Sequence, residues 1–188
     1  MTAEESLRVL VRNVEYLMDR QAILDVINRH ARGCDRHDAD LIDSTYWPDG
    51  ADEHGSSTNA GSEYGTWANE VHAATSSAHL HHVTTHTCEI AGDTAHAESY
   101  VLVILLAPNE KSVQVMTGRY IDRLERRDGT WRLSVRRSTV EASFAADASI
   151  LQNPFFVQQG YIRGTRERND LSYFRPLSID TPPPRQWR

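Results

Sequence analysis

The sequence lacks the features that would place the protein in a membrane or on a nucleic acid. No run of eighteen apolar residues occurs in its 188 residues, so no membrane-spanning helix is expected. Its first six residues, MTAEES, have neither the basic nor the apolar region of a signal peptide, and the default expectation is a cytoplasmic protein. A formal net charge of −6 argues against nucleic acid as a partner.

Several catalytic signatures are missing as well. The sequence has no glycine-rich phosphate loop, no nucleophile elbow and no Cys-x-x-Cys pair, so nucleotide binding and covalent acyl transfer have no support. Its only two cysteines, Cys34 and Cys88, lack the spacing of metal ligands and suit free thiols in a reducing compartment.

The first part of the chain is predicted to be helical. Hydrophobic residues make up 39% of the chain, which is long enough for one well-buried domain and not clearly for two. Apolar residues at helical spacing predict a helix over 5–18 and a second helix, capped by Asp19, that runs to about Cys34. Asp38 can cap a further short helix that ends near residue 46.

The segment that follows is predicted to be mixed. We expect a turn over 47–50, a short strand over 51–54, a loop over 56–61 and a helix over 64–77. One side of that last helix is expected to carry Trp67, Val71 and Ala74.

The second part of the chain predicts an antiparallel meander. Four stretches of strand character cover 80–90, 94–106, 113–126 and 130–142, and Asp128-Gly129 is a strong hairpin signal. Helices followed by such a meander predict an α+β fold, with the helices packed on one face of a curved, mostly antiparallel sheet. We expect one domain over 1–145. Residues 146–188 are expected to form a C-terminal extension that packs on the body or on a neighbouring subunit.

Asp35 and His81 are the most informative pair of residues. Asp35 follows a long amphipathic helix and His81 begins a predicted strand, so a small domain could bring the two together. A carboxylate that orients an imidazole is the minimum apparatus for acid–base chemistry near neutral pH. Asp35 could equally be a turn residue. Alternation along the strand puts His79, His81, Val83 and Thr85 on one face, with His82 as the register-slip alternative.

The order of these segments resembles the nuclear transport factor 2-like superfamily, in particular its SnoaL-like branch, over roughly residues 15–142. The resemblance rests on RQAILD, ARGCD and Asp38, then HHVTT and EIAGDTA, and last GRY and RRDGTWR. It implies a cone-shaped roll. The most similar enzyme groups are scytalone dehydratase, hexachlorocyclohexane dehydrochlorinase and bile-acid dehydratase, which are cofactor-free lyases built around an Asp–His pair.

The resemblance also implies roles for individual residues. Catalysis would fall to Asp35, His81 and Arg136. Strand alternation from Trp131 favours Arg137 instead, unless a bulge reverses the pattern. The sequence differs from the family pattern at Cys34, His30 and Thr85. These differences leave the Asp–His pair intact but leave the identity of the substrate open. The expected substrate-binding residues are His30, Cys34, Tyr46, Trp47, His54 and His79, although core packing explains the aromatic ones equally well.

The expected function is a lyase without metal or cofactor, or less readily an isomerase, that acts on a hydrophobic aromatic or polycyclic molecule. Water elimination and release of a small aldehyde are both open. The alternatives are the small subunit of an aromatic-ring dioxygenase and a binding protein without turnover. The dense histidines raise the question of zinc, but no other signature supports it. A homotrimer is expected, with Val101, Val103, Val113 and Val115 on the covered outer face of the sheet and Phe155, Phe156, Tyr161 and Tyr173 anchoring the C-terminal extension.

Overall fold

The structure, a computed structural model, describes residues 1–187; position 188, the end of the expected extension, lies outside the described residues. Three helices pack with the sheet: α1 (Ala3–Arg36) and α2 (Ala39–Asp43) precede it, and α3 (Tyr64–Thr75) lies between its second and third strands. The strands are β1 (Tyr46–His54), β2 (Ser57–Ala60), β3 (Ala78–Ala91), β4 (Thr94–Leu106), β5 (Ser112–Arg127) and β6 (Thr130–Asp147). A short helix α4 (Pro154–Gln158) and two 3-10 turns, Ser149–Gln152 and Leu171–Tyr173, follow. The α+β prediction is confirmed.

The six strands form one curved, open sheet in the order β2-β1-β6-β5-β4-β3. All neighbours are antiparallel except β1 and β6, which run parallel. The predicted hairpin between β5 and β6 is present: Asp128 and Gly129 have φ of 50° and 75°. Positive φ at both central residues matches the right-handed twist of the flanking strands. We call the face of the sheet that packs against α1 and α3 the inner face.

The two predicted N-terminal helices are one helix of 34 residues, so the prediction of a break at Asp19 is wrong. Asp19 does not cap a helix, because its carboxylate accepts hydrogen bonds from Arg126 and Trp131 of the sheet. The true N-cap is Thr2, whose hydroxyl forms a reciprocal capping box with Glu5. The first half of α1 extends past the sheet, and its apolar stripe is exposed, at Leu7, Leu10, Val11, Val14, Leu17 and Met18.

Three local predictions before the meander are also wrong. The expected turn over 47–50 belongs to β1, whose pairing with β6 is irregular between Tyr46 and Ala51. The expected loop contains β2, which forms a hairpin with β1. The buried side of α3 carries Tyr64 and Ala68, whereas Val71 is exposed, because the helix is rotated from the expected apolar side.

The outer face of the sheet is half as expected: Val113 and Val115 lie on it, since they pair with Leu106 and Ile104. Val101 and Val103 belong to the buried core on the inner face, so their assignment to the outer face is wrong. Strand register places Leu102 and Ile104 on the outer face instead. The homotrimer stays a prediction. No helix within residues 1–187 is both long and apolar enough to cross a membrane.

The C-terminal segment packs on the body of the same chain. Tyr173 donates a hydrogen bond to Asp38 at 3.0 Å, and the guanidinium of Arg32 lies 4.8 Å from its ring centroid. Phe156 packs on Tyr161 and Trp187 within the segment. Phe155 is largely exposed, so it does not anchor the segment on the body of its own chain; its packing on a neighbouring subunit stays a prediction.

Candidate functional site

The end of α1 holds Asp35 in a fixed position. Gly33 lets α2 pack closely there, since a Cβ at this position would lie 2.7 Å from the side chain of Ile42. The helix then ends at His37, which adopts the left-handed conformation with φ of 51°. The backbone N–H of Asp38 closes the turn onto Gly33 O at 2.9 Å. Asp35 therefore sits in the last turn of a helix whose end is well defined.

Asp35 and His81 are brought together, as the sequence predicted. The carboxylate of Asp35 accepts the backbone N–H of His81 at 3.0 and 3.1 Å and its ring Nδ1 at 2.7 Å. β3 is an edge strand, so this backbone N–H faces away from the neighbouring strand and is available to Asp35. We call Asp35 and His81 the dyad.

The dyad fixes the tautomer of His81. An ionised carboxylate only accepts hydrogen bonds, so Nδ1 of His81 carries the proton and Nε2 presents a lone pair. Nε2 makes no hydrogen bond to any of residues 1–187. Both side chains are mostly buried, with 6% exposure for His81 and 13% for Asp35. The arrangement is that of an oriented base with one free nitrogen.

A register irregularity in β3 decides which residues flank the dyad. Pairing with β4 shifts between Val83 and His86, so His86 points inward and Thr85 is exposed. The simple alternation that placed Thr85 beside His81 is therefore wrong. The same strand leaves His82 exposed, which removes it as the inward alternative.

Three more histidines pack beside the dyad. His79 lies edge-on to His81, with ring centroids 5.6 Å apart, and His72 of α3 stacks on His79 at 4.0 Å. Nε2 of His79 donates to Cys34 O at 2.8 Å, and its Nδ1 accepts from Arg166 at 3.0 Å. Burial lowers the pKa of His79 to about 3, of His72 to about 2 and of His37 to about 4. This cluster is neutral at physiological pH.

The cluster has the composition of a metal site but not its geometry. One ring nitrogen each of His37, His72 and His79 lies within 4.8 Å of the others, and Asp35, His79 and His81 form a second such group. Both nitrogens of His79 are engaged, one of them by a permanent cation, Arg166. The donor set therefore does not fit a metal ion as it stands.

Arg136, and not Arg137, points inward. Pairing of β5 with β6 passes from Arg123–Val135 to Leu124–Leu133, so Ser134 is a bulge that reverses the alternation. Arg136 is fully buried, binds Asp122 through Nε and Nη2 at 2.8 and 2.7 Å, and lies over the ring of Tyr120. Its Nη1 is buried and has no hydrogen-bond partner within residues 1–187. Arg137 is exposed and pairs with Glu53.

A second buried network lies beside Arg136. Tyr46 donates to Asp52 Oδ2 at 2.6 Å, so the 3.1 Å contact with His30 is a donation from His30 Nε2 to the phenol oxygen. Burial lowers the pKa of His30 well below its usual range and raises that of the Cys34 thiol. His30, Cys34 and Tyr46 are thus packed and hydrogen-bonded in the core; their part in substrate binding stays a prediction.

Two expected binding residues, Trp47 and His54, make no hydrogen bond to the dyad within residues 1–187. Trp47 packs between the guanidinium groups of Arg127 and Arg132, each 4.9 Å from its ring, so the structure does not bring it to the inner face. His54 lies at the rim, where its Nδ1 contacts Tyr64 OH at 3.3 Å.

The inner face next to His81 is apolar. Register places Val103 beside His81 and Met116 beside Val103. Val83 and Trp67 pack against the same core. Val140 also lies on this face and is 66% exposed, so this end of the inner face is open.

A pocket of about 410 Å³ adjoins the dyad, and Asp35 and His79 are part of its lining. Its remaining walls come from Arg36, the start of β3, the end of β4, Val113 of β5 and the C-terminal segment; we call it the tail pocket. The sequence predicted that this segment packs on the body or on a neighbour but did not point to Arg166, because the segment shows little periodicity. Sequence reasoning also missed His72, whose place beside His79 follows only from the packing of α3.

A family model described as a SnoaL-like domain matches residues 15–137. The chain belongs to the SnoaL-like family. This family is part of the nuclear transport factor 2-like superfamily. The matched region contains the dyad and Arg136 and ends before the C-terminal segment. No curated protein matches the chain significantly.

Solved structures share the SnoaL-like fold at low identity. A hexachlorocyclohexane dehydrochlorinase, LinA-type3 of Novosphingobium barchaimii, is 22% identical over 71% of this chain and 94% of its own, with a TM-score of 0.66. A protein of Novosphingobium aromaticivorans, provisionally named a scytalone dehydratase, is 15% identical over 81% and 94%, with a TM-score of 0.62. A nuclear transport factor 2-like protein of Salmonella enterica is 19% identical over 65% and 90%, with a TM-score of 0.59.

Proposed function

We propose that the protein is a cofactor-independent lyase that acts on a hydrophobic, aromatic or polycyclic small molecule. The observation that carries the proposal is the geometry of the dyad: Asp35 holds Nδ1 of His81 at 2.7 Å, which leaves Nε2 free to take a proton. Neighbours of this fold include a dehydrochlorinase and a protein named for dehydration, and both names describe eliminations.

The elimination assigns one step to each member of the dyad. Nε2 of His81 accepts a proton from a substrate carbon, and the electrons of that C–H bond form a new C=C bond. The leaving group on the adjacent carbon departs with its own bonding electrons. Asp35 stabilises the imidazolium, which then passes its proton to a departing hydroxide or to solvent. Return of the proton to another carbon of the substrate would instead give an isomerase.

The surroundings favour an apolar substrate. Val103 and Met116 extend the inner face from His81, and the neutral histidines of the cluster add no charge. Arg136 is proposed to stabilise developing negative charge through Nη1, its one nitrogen without a partner in the described chain. Because Asp122 already balances its charge, this contribution is smaller than that of the dyad.

The proposal is tested with a panel of aryl-substituted secondary alcohols and chlorides that carry an acidic C–H bond next to the leaving group. Formation of the conjugated product is followed by absorbance. We expect turnover by the wild type, loss of it in His81→Ala, and no change in His82→Ala, which alters an exposed histidine of the same strand. Equal rates for wild type and His81→Ala, or no turnover across the panel, would refute the proposal.

A further inference from the structure

The tail pocket combines an apolar wall with several cations. Leu80, Ile104 and Leu106 form one side, and Leu151 and Trp187 approach from the C-terminal segment. Its volume of about 410 Å³ lies within the range of small-molecule sites. Four arginines, Arg36, Arg163, Arg166 and Arg185, also line it.

Two of these arginines are neutralised by carboxylates of the chain. Arg163 is bound by Glu110 through both terminal nitrogens, and Arg36 lies 3.3 Å from Asp170. The one carboxylate that lines the pocket, Asp35, is already engaged by His81. Neither of these ion pairs includes Arg166, so its charge is not balanced by them.

Arg166 is a half-buried cation without a carboxylate partner within residues 1–187. All its hydrogen bonds pass through Nη2, to the carbonyls of His72 and Ser76, to Ser76 Oγ and to His79 Nδ1. Nη1 makes none in the described chain, and Nε is buried without a partner. Burial, followed by the neighbouring Arg163, lowers the pKa of Arg166. A desolvated guanidinium with open donors is best satisfied by a planar anion.

We propose that the tail pocket binds an apolar carboxylic acid, with the carboxylate on Arg166 and the hydrocarbon part against the Leu80–Leu106 wall. The pocket shares Asp35 and His79 with the candidate active site, but His81 does not line it and Ile104 lies on the outer face of the sheet, so the bound acid occupies a site that adjoins the dyad. This ligand is held by a segment outside the family match.

Binding is measured by calorimetry on the full chain with two probes of equal size, 2-naphthoate and the uncharged 2-naphthamide. We expect naphthoate to bind at least about tenfold more tightly, the usual value of a hydrogen bond to a charged group. In Arg166→Met the naphthoate affinity falls to that of the amide, while the amide affinity is unchanged. Arg168→Met is the matched control, because Arg168 lies in the same segment with its side chain 75% exposed.

Equal affinity of the wild type for the two probes, or undetectable binding of both, overturns the proposal without any variant. Naphthoate binding that survives in Arg166→Met overturns the assignment to Arg166. The wild type separates the two proposals: naphthoate binding with no turnover of any panel substrate leaves the acid site standing and refutes the lyase. Turnover of uncharged substrates without naphthoate binding would refute the acid site and leave the lyase standing.

Discussion

Two acid–base pairs lie in the interior of this fold, and they differ in what they leave open. Asp122 and Arg136 make two short hydrogen bonds to each other, and neither side chain is exposed to solvent. Asp35 and His81 make one such bond, remain slightly exposed, and leave Nε2 of the imidazole without a partner in the described chain. In the first pair, Nη1 of Arg136 is without a partner in the described chain but is buried, whereas the second pair has an unused nitrogen at the edge of an apolar surface.

The two pairs also differ in whether their basic side chain can lose its proton near neutral pH. A guanidinium keeps its proton at any physiological pH, and Asp122 holds Arg136 in its charged state against the desolvation cost of burial. An imidazole can gain and lose a proton near neutrality. Burial of charge in itself therefore does not mark a catalytic site in this fold. The mark is a titratable group that is oriented on one side and unpaired on the other.

The largest expected effect is on the dyad. Asp35→Asn should keep the backbone contact to His81 but lose the charge that fixes the tautomer, so turnover should fall by roughly 10²–10⁴. Its free energy of unfolding should change by no more than about 1 kcal/mol, because the replacement is isosteric. Steady-state rates and urea denaturation measure the two effects. Full activity in both Asp35→Asn and His81→Ala would end the acid–base assignment.

The Arg136–Asp122 pair should respond in the opposite way. Arg136→Met leaves Asp122 buried and unpaired, which typically costs about 3–5 kcal/mol of stability. Arg136→Met combined with Asp122→Leu should recover part of that loss, since no buried charge remains. Arg137→Met, at the exposed neighbour, should stay within about 0.5 kcal/mol. A double variant no more stable than Arg136→Met would show that the pair itself, and not the stranded charge, supplies the stability.

The sequence was sufficient for the dyad and insufficient for the Arg136–Asp122 pair. Asp35 and His81 each follow a recognisable element, and the family order places them opposite each other. Asp122 was not foreseen, because it becomes a partner of Arg136 only through strand register. The inward direction of Arg136 depends on the Ser134 bulge, which alternation cannot predict.

The tail pocket and two strand segments were also not predicted from the sequence. The tail pocket depends on where an aperiodic segment folds back, as in the contact of Glu167 N with Arg36 O. The strand nature of 47–50 and 57–60 was hidden by Gly and Pro, which usually mark turns. The tail pocket and the pairing of β1 with β6 depend on contacts between distant parts of the chain, whereas β1 and β2 form a local hairpin. The four-stranded meander, whose contacts are between sequence neighbours, was predicted nearly to its ends.

A smaller effect concerns the neutral histidines that surround the dyad. Since the pKa of His72 is about 2 in the fold and about 6.5 when exposed, only the unfolded chain takes up its proton as pH falls below 6.5. Stability is then lost with falling pH, by about 1–2 kcal/mol between pH 7 and pH 5 for one such group. Urea denaturation at both pH values should show a smaller loss in His72→Leu than in the wild type. An identical loss would mean that His72 does not stay neutral.

The smallest expected effect is that of metal removal. A metal held by His79 would turn the dyad into a ligand set and take away its free nitrogen. Both nitrogens of His79 are instead hydrogen-bonded, and Arg166 would repel a divalent ion from this place. We therefore expect that prolonged dialysis against EDTA leaves turnover within about 20% of its starting value, far below one tenfold step in rate. Elemental analysis should find no stoichiometric zinc, iron or manganese.

The contradicting outcome is a stoichiometric metal that His79→Ala no longer retains and whose removal abolishes turnover. That result would replace proton abstraction by His81 with metal-assisted chemistry.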